Sequence, residues 1–153
     1  QDSVTKHSLA LQGRSLNFTA VAGSIRLYDD KGEPQVDLAY TAYLVDGAEP
    51  RTRPVTFLFN GGPGSSTMWL HIGSFGPVRV DTPTPDTARP APFAIGPNPD
   101  SLIDRSDLVF IDAIGTGLSR PLGKAQGKDF WGVDPDIDAF GDRADLRCHA
   151  ADF

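Results

Sequence analysis

Several features that would assign this chain to a common functional class are missing from its sequence. The single cysteine, Cys148, leaves no possibility of an internal disulfide. A formal net charge of −6 gives no basic excess of the kind that nucleic acids and anionic membranes attract. No apolar run approaches the ~20 residues of a membrane span, and no metal-ligand spacing is present. We therefore expect no cofactor, no metal, no nucleic-acid partner and no membrane span; the oligomeric state stays open.

The chain also lacks an initiator methionine and a charged-then-apolar leader segment, since it begins at Gln1. Removal of an export signal explains both features, and so does trimming of a longer chain. We favour export and expect a periplasmic or secreted location.

Hydrophobic periodicity predicts strands in the first fifty residues. Apolar and polar residues alternate over 16–21 and again over 36–44, a period of two that is typical of strands with one buried face. Turn-forming residues at 29–34 separate the two runs. The pattern predicts an antiparallel β meander over residues 1–50.

The short continuous apolar run 55–59 predicts a strand buried on both faces, and 107–112, whose apolar residues 108–111 lie between two aspartates, predicts a second buried strand. Polar loops follow both runs. A helix is predicted to start at 134–140, where Asp134 can cap it and Pro135 suits the first helical position. From residue 141 onward the apolar stripe of that helix becomes thin.

The most unusual stretch is residues 60–66, which read Asn-Gly-Gly-Pro-Gly-Ser-Ser directly after the first apolar run. Glycines at three of four positions let the backbone turn sharply and approach a ligand. Backbone amides that converge on one point stabilise a developing oxyanion, worth roughly 3–4 kcal/mol per donor in acyl transfer. By itself the cluster also fits a plain tight turn. A phosphate-binding loop is disfavoured because neither phosphate-loop spacing nor G-x-G-x-x-G is present.

Four segments, in this order, resemble those of the serine carboxypeptidase family, and look most like its bacterial branch. They are residues 53–66 (RPVTFLFNGGPGSS), 73–77 (GSFGP), 98–102 (NPDSL) and 109–119 (VFIDAIGTGLS). The resemblance spans roughly residues 41–140. It implies an α/β class, namely the incomplete N-terminal part of an α/β-hydrolase fold, in which the meander leads into a mixed, mostly parallel sheet. The chain would then be one partial domain over 1–153, with the meander at 1–50, the oxyanion-loop strand and the next strand at 51–140, and a divergent tail at 141–153.

The resemblance also implies roles for residues of the glycine loop. The amide of Gly62 would form part of an oxyanion hole, and Asn60 and Gly61 would hold the free carboxylate at the C-terminus of a peptide. An amide side chain and backbone N–H groups suit a carboxylate chemically. The implied activity is serine-type carboxypeptidase, which releases C-terminal residues from peptide substrates through an acyl-enzyme.

The residues that would perform the chemistry are missing from the sequence. No serine stands in a G-x-S-x-G nucleophile elbow, and in the family Ser, Asp and His follow the segment matching 134–140. We expect His7 to be exposed and His71 to be a packing or capping residue. Cys148 and His149 are adjacent, so their side chains point apart. The isolated chain is therefore expected to be an inactive fragment, truncated or frameshifted.

Two alternatives to the peptidase hypothesis stay open. A serine carboxypeptidase-like acyltransferase or esterase would use the same oxyanion donors, because a fold and an oxyanion site do not fix the substrate. A binding module would keep the carboxylate pocket without catalysis.

Reading the coding DNA beyond codon 153 in all three frames tests the fragment hypothesis. We expect one frame to contain G-x-S-x-G within a few dozen codons, followed by Asp and His. Absence of that motif from all three frames would contradict the hypothesis.

Overall fold

The computed structural model describes residues 2–11, 13–49, 51–61, 64–81 and 92–132. Within these residues the chain forms strands joined by loops and short helical turns. The strands are β1 (Ser3–Leu11), β2 (Arg14–Tyr28), β3 (Pro34–Val45), β4 (Val55–Phe59), β5 (Val78–Val80), β6 (Ile95–Pro97), β7 (Asp107–Ile111) and β8 (Arg120–Pro121). The helical segments are α1 (Met68–Leu70), a π-helical turn (His71–Phe75) and two 3₁₀ turns (Leu102–Asp104 and Gly127–Phe130). None of the described helices is long and apolar enough to cross a membrane.

The main sheet has the strand order β1-β2-β3-β7-β4, with the short strand β8 also paired to β3. Strands β1, β2 and β3 form an antiparallel meander. The turn between β2 and β3 is closed by Asp29, whose carboxylate accepts the N–H groups of Lys31 and Glu33, and by Gly32 in a left-handed conformation. The meander and its turn lie where the sequence pattern predicts them.

The predicted fold class, an α/β-hydrolase fold with a mostly parallel sheet, is wrong. The described residues are mainly β, their α-helix has three residues, and the pairing of β4 with β7 is the one parallel contact among the described strands. The physical reason is connectivity. Hairpins join β1 to β2 and β2 to β3, so these strands are antiparallel and need no crossover helix. The described part of the β4–β7 connection consists of short turns and a two-stranded ribbon of β5 and β6.

The sheet has a hydrophobic cluster on each face, because successive side chains of a strand point to opposite sides. On β3, Leu38 and Ala42 belong to one cluster, which also contains Val21 of β2 and Ile111 of β7. The opposite cluster contains Phe18, Tyr43, Leu108 and Phe110, together with Leu11 and Ile103. The core therefore sits on both sides of β3 and β7.

The sequence predicts that two strands, β4 and β7, are buried on both faces, and the structure shows this for only one of them. Every residue of β7 is buried, as predicted. The prediction for β4 is wrong, since Val55, Phe57 and Phe59 are 39%, 37% and 53% exposed. β4 is the last strand in the order, and the described residues leave one of its faces open. The predicted helix start at 134–140 and the tail at 141–153 lie outside the described residues.

The start of the parallel pair is fixed by a partly buried ion pair. The guanidinium of Arg53 donates to the carboxylate of Asp107 at 2.8 Å and also donates to the carbonyl of Ile103. The same carboxylate oxygen accepts the N–H of Val45 at 3.0 Å. These bonds set the starting point of β7 relative to β3 and β4.

Replacement of Leu38 by alanine tests whether β3 lies at the centre of the hydrophobic core. Leu38 is 1% exposed, so the change leaves a cavity and we expect a loss of about 2–5 kcal/mol in the free energy of unfolding. The measurement is the midpoint of urea unfolding, compared between proteins whose free energy of unfolding depends on urea concentration with the same slope. Leu118→Ala is the matched control, because Leu118 is 76% exposed and its loss should stay within about 0.5 kcal/mol. Equal losses in the two variants would contradict the described core.

Candidate functional site

The candidate site lies where β4 and β7 end side by side. Phe59 and Ile111 are register partners at the carboxyl ends of these parallel strands. The glycine-rich loop of residues 60–66 follows β4, and Asp112 opens the loop that follows β7. The crevice at the carboxyl ends of parallel strands is a common location for ligand sites.

Thr67 ties the glycine-rich loop to β7. Its buried hydroxyl donates to the carbonyl of Ile111 and accepts the backbone N–H of Asn60 at 3.2 Å. Its own N–H donates to Oδ1 of Asp112 at 2.9 Å. Its carbonyl accepts the N–H of His71 at 2.9 Å, so α1 also starts from this point. One residue therefore fixes both ends of the loop and the turn behind it.

Asp112 ties the second loop to the first. Its Oδ2 accepts the N–H of Leu118 at 2.8 Å, while Oδ1 accepts the N–H of Thr67. Its carbonyl accepts the hydroxyl of Ser119 at 2.7 Å, and that hydroxyl accepts the N–H of Ala39 on β3 at 2.8 Å. Hydrogen bonds from N–H groups to a charged carboxylate are stronger than neutral ones. The two loops and the sheet are thereby held as one frame.

A glycine is required beside this carboxylate. Gly117 has φ +48°, and a Cβ built on it would lie 1.9 Å from Oδ2 of Asp112. Any side chain would displace the carboxylate from the Leu118 N–H. Gly115 has a similar backbone conformation, φ +80°, but its Cβ would meet only ordinary contacts at 3.8 Å and beyond.

The two predicted substrate-binding residues, Asn60 and Gly61, lie in this frame. Asn60 is half-buried, and its side-chain amide donates to Oγ of Ser65 within the loop. Gly61 is exposed. Among the described residues, no acceptor is found for the backbone N–H groups of Gly61, Gly64 and Ser65. Gly62, the predicted oxyanion-hole residue, lies outside the described residues.

The other two family-like segments contact each other nearby. Asn98 is fully buried, and its side-chain amide donates to the carbonyl of Gly76 at 2.9 Å. The hydroxyl of Ser101 donates to the carbonyl of Phe75 at 2.9 Å. Segments 73–77 and 98–102 thus form one contacting pair, and segments 53–66 and 109–119 form another through Thr67 and Asp112.

The packing role expected of His71 is confirmed. Its Nε2 lies 2.5 Å from the hydroxyl of Tyr43, and its ring stacks on Phe110 at a centroid distance of 4.6 Å. Burial lowers the pKa of His71, more than the nearby Asp112 raises it, and burial raises the pKa of Tyr43 to about 12. A protonated phenol and a neutral imidazole therefore share this hydrogen bond. His7 is exposed on β1, as expected, and Cys148 and His149 lie outside the described residues.

A cavity of about 640 Å³ opens beside Thr67 and α1, against β2 and β3. Four of the residues that line it can ionise, namely Asp2, Tyr40, His71 and Asp112. Asp2 and Tyr40 did not stand out in the sequence, because they are 38 positions apart, Asp2 directly before β1 and Tyr40 on β3, and only the tertiary structure brings them together. In the part of the chain that the structure describes, no group of three or more His, Cys, Asp or Glu could hold a metal ion.

Comparison of the chain with protein-family models and with curated proteins finds no match to either. The relationship to serine carboxypeptidases therefore stays a hypothesis that rests on the four segments.

Replacement of Gly117 by alanine tests the packing around Asp112. Both Gly117→Ala and the control Gly115→Ala impose a side chain on a left-handed residue, which costs about 1 kcal/mol. We expect Gly117→Ala to lose about 2 kcal/mol more in the free energy of unfolding, because its Cβ overlaps the carboxylate. The measurement is urea unfolding of both variants. Equal losses of stability in the two variants would contradict the prediction, because they would show that the carboxylate of Asp112 moves aside at no cost.

The buried imidazole predicts a loss of stability in acid. The pKa of His71 is lowered in the folded state, so between that value and the ordinary value near 6.5 the unfolded chain binds the additional proton. The stability that neutral His71 contributes is present above about pH 6.5 and is lost as the pH falls below it. We expect a slope of up to about 1.4 kcal/mol per pH unit from this residue. Urea unfolding between pH 7 and pH 5 measures it, with His71→Gln as the non-titrating control. An equal slope in the control would contradict this assignment.

Proposed function

We propose that residues 60–66 are the carboxylate-binding loop of a serine-type carboxypeptidase. In this proposal Asn60 and Gly61 hold the C-terminal carboxylate of a peptide, and the amide of Gly62 serves the oxyanion hole. The observation that carries the proposal is the set of N–H groups in the loop, those of Gly61, Gly64 and Ser65, that have no acceptor among the described residues.

The loop suits an anion for two physical reasons. N–H groups without a protein acceptor, at Gly61, Gly64 and Ser65, carry partial positive charges that attract a carboxylate without a full cation. The loop is also preorganised, because Thr67 fixes its end to the carbonyl of Ile111 and to Asp112. Donors that need no reorganisation stabilise a developing charge most effectively.

The proposal assigns binding and orientation, not bond cleavage, to these 153 residues. The chain contains no G-x-S-x-G elbow, so the nucleophile, its base and its orienting acid are not among its residues. Site chemistry rather than fold class supports the assignment, since a fold does not determine a reaction. An acyltransferase or esterase would use the same donors, and product analysis on a chain that carries the nucleophile distinguishes them from a peptidase.

Binding of a short peptide with and without a free C-terminus tests the proposal directly. We expect the 153-residue chain to bind acetyl-Ala-Ala-Phe in isothermal titration calorimetry and to bind its C-terminal amide much more weakly, because the amide lacks the charge that the N–H groups recognise. Asn60→Ala should weaken binding of the free acid about tenfold, the scale of one hydrogen bond to a charged group.

Asn17→Ala is the matched control, since Asn17 is exposed on β2 away from the loop and its loss should leave binding unchanged. Equal affinity for the acid and the amide, or no effect of Asn60→Ala, would overturn the proposed role of the loop.

A further inference from the structure

The cavity of about 640 Å³ has its floor on the face of the sheet that carries the cluster around Phe110. Successive side chains of a strand alternate between the two faces, so register partners share a face. Phe110 pairs with Thr41, and Thr41 pairs with Ala22. The next row of the same face, closer to the loops, contains Ala39 and Ser24. All five residues line the cavity, so its floor consists mainly of small side chains.

The side chains on this face become smaller toward the cavity. Away from the cavity the face carries Phe18 on β2 and Tyr43 on β3, whose rings contact each other at a centroid distance of 5.8 Å. Toward the loops, the same face carries Ala22 on β2 and Thr41 on β3. Large rings therefore cover the sheet up to this point and leave the space beyond them open.

The walls above the floor are apolar. The ring of Phe110 borders the cavity, together with Met68 at the start of α1 and Leu118 in the loop after β7. Met68 and Leu118 are 48% and 76% exposed, so both have apolar surface left to cover an entering group. Burial of that surface favours an apolar ligand.

The ionisable residues of the cavity offer no free charge to a ligand. Both oxygens of Asp112 accept backbone N–H groups, and burial lowers the pKa of His71, so its ring is neutral. The carboxylate of Asp2 accepts the hydroxyl of Tyr40, which belongs to the cluster on the opposite face of the sheet. No lysine or arginine is found among the described residues that line the cavity.

The cavity adjoins the proposed carboxylate-binding loop. Ser66, the last residue of that loop, lines the cavity together with Thr67 and Met68. Ser65 directly precedes Ser66, and no acceptor for its N–H is found among the described residues. The carboxyl group and the side chain of a C-terminal residue are attached to the same Cα. A carboxylate held at the loop therefore brings its own side chain to the cavity.

We propose that this cavity selects the C-terminal residue of the bound peptide and takes a large uncharged side chain, such as that of phenylalanine. The inference rests on the proposed function, because the loop supplies the anchor for the carboxylate. The volume lies in the range of ligand pockets that are lined mainly by apolar groups. A charged side chain would lose its hydration there without gaining an opposite charge. Ala22 determines the specificity together with Ala39, because their methyl groups leave the floor open.

Four peptides test the proposal on the 153-residue chain by ¹H–¹⁵N NMR titration: acetyl-Ala-Ala-Phe, acetyl-Ala-Ala-Ala and the C-terminal amide of each. We expect the Phe peptide to bind about tenfold more tightly than the Ala peptide, the scale of a change in size within an apolar pocket. Ala22→Leu fills the floor and should remove this advantage without changing the affinity for acetyl-Ala-Ala-Ala. Ala39→Leu fills the same floor from β3 and should act alike, so the test does not depend on one variant folding.

Ala10→Leu is the matched control, because it makes the same change at an exposed position of β1 outside the cavity and should keep the preference for Phe. Equal affinities for the Phe and Ala peptides, or a preference that persists in both floor variants, would overturn the proposal. Tighter binding of acetyl-Ala-Ala-Lys than of acetyl-Ala-Ala-Phe would also overturn it. Acids and amides that bind equally would instead overturn the proposed carboxylate-binding loop, since the ratio of Phe to Ala reports on the cavity and the ratio of acid to amide on the loop.

Discussion

The carboxylate of Asp112 is the group on which the rest of the site depends. It follows directly after a strand that is buried along its whole length, so its position is fixed by the sheet. Its two oxygens accept N–H groups from two different loops, at Thr67 and at Leu118. Loss of the carboxylate would leave both donors without their acceptor, and this is costly at the buried Thr67, whose N–H is shielded from water, and less so at the exposed Leu118. The loops after β4 and β7 are thus one unit rather than two independent surface connections.

The sheet gives this unit a defined place by fixing β7 at both ends. Asp107 begins the strand with its ion pair to Arg53, and Asp112 follows its last residue. Between them every side chain is buried, with Leu108 and Phe110 on one face and Val109 and Ile111 on the other. A strand held in this way cannot slip by one residue, because a slip would exchange the two faces and expose both clusters.

The groups around Asp112 differ in whether their hydrogen-bonding capacity is used. The glycine-rich loop has backbone N–H groups for which no acceptor is found among the described residues, whereas both oxygens of Asp112 accept backbone N–H groups. Free N–H groups suit an anion, so the loop and not the carboxylate behind it is the part of this site that can receive one. His71 is held by Tyr43 and Phe110 on the face of the sheet where α1 packs.

The sequence by itself determined the local features of this protein. Alternation with a period of two located the strands of the meander, and the turn residues at 29–34 located its hairpin. The apolar residues 108–111 located the buried strand. All of these signals act between near neighbours in the sequence. The sequence also singled out Asn60 and Gly61. Only the tertiary structure decided which strands lie next to one another, and therefore that β4 is last in the order with one face open and that the sheet is mainly antiparallel. It also brought Asp2 to Tyr40 and Tyr43 to His71, because hydrogen bonds between residues 38 and 28 positions apart depend on tertiary packing that no local pattern encodes.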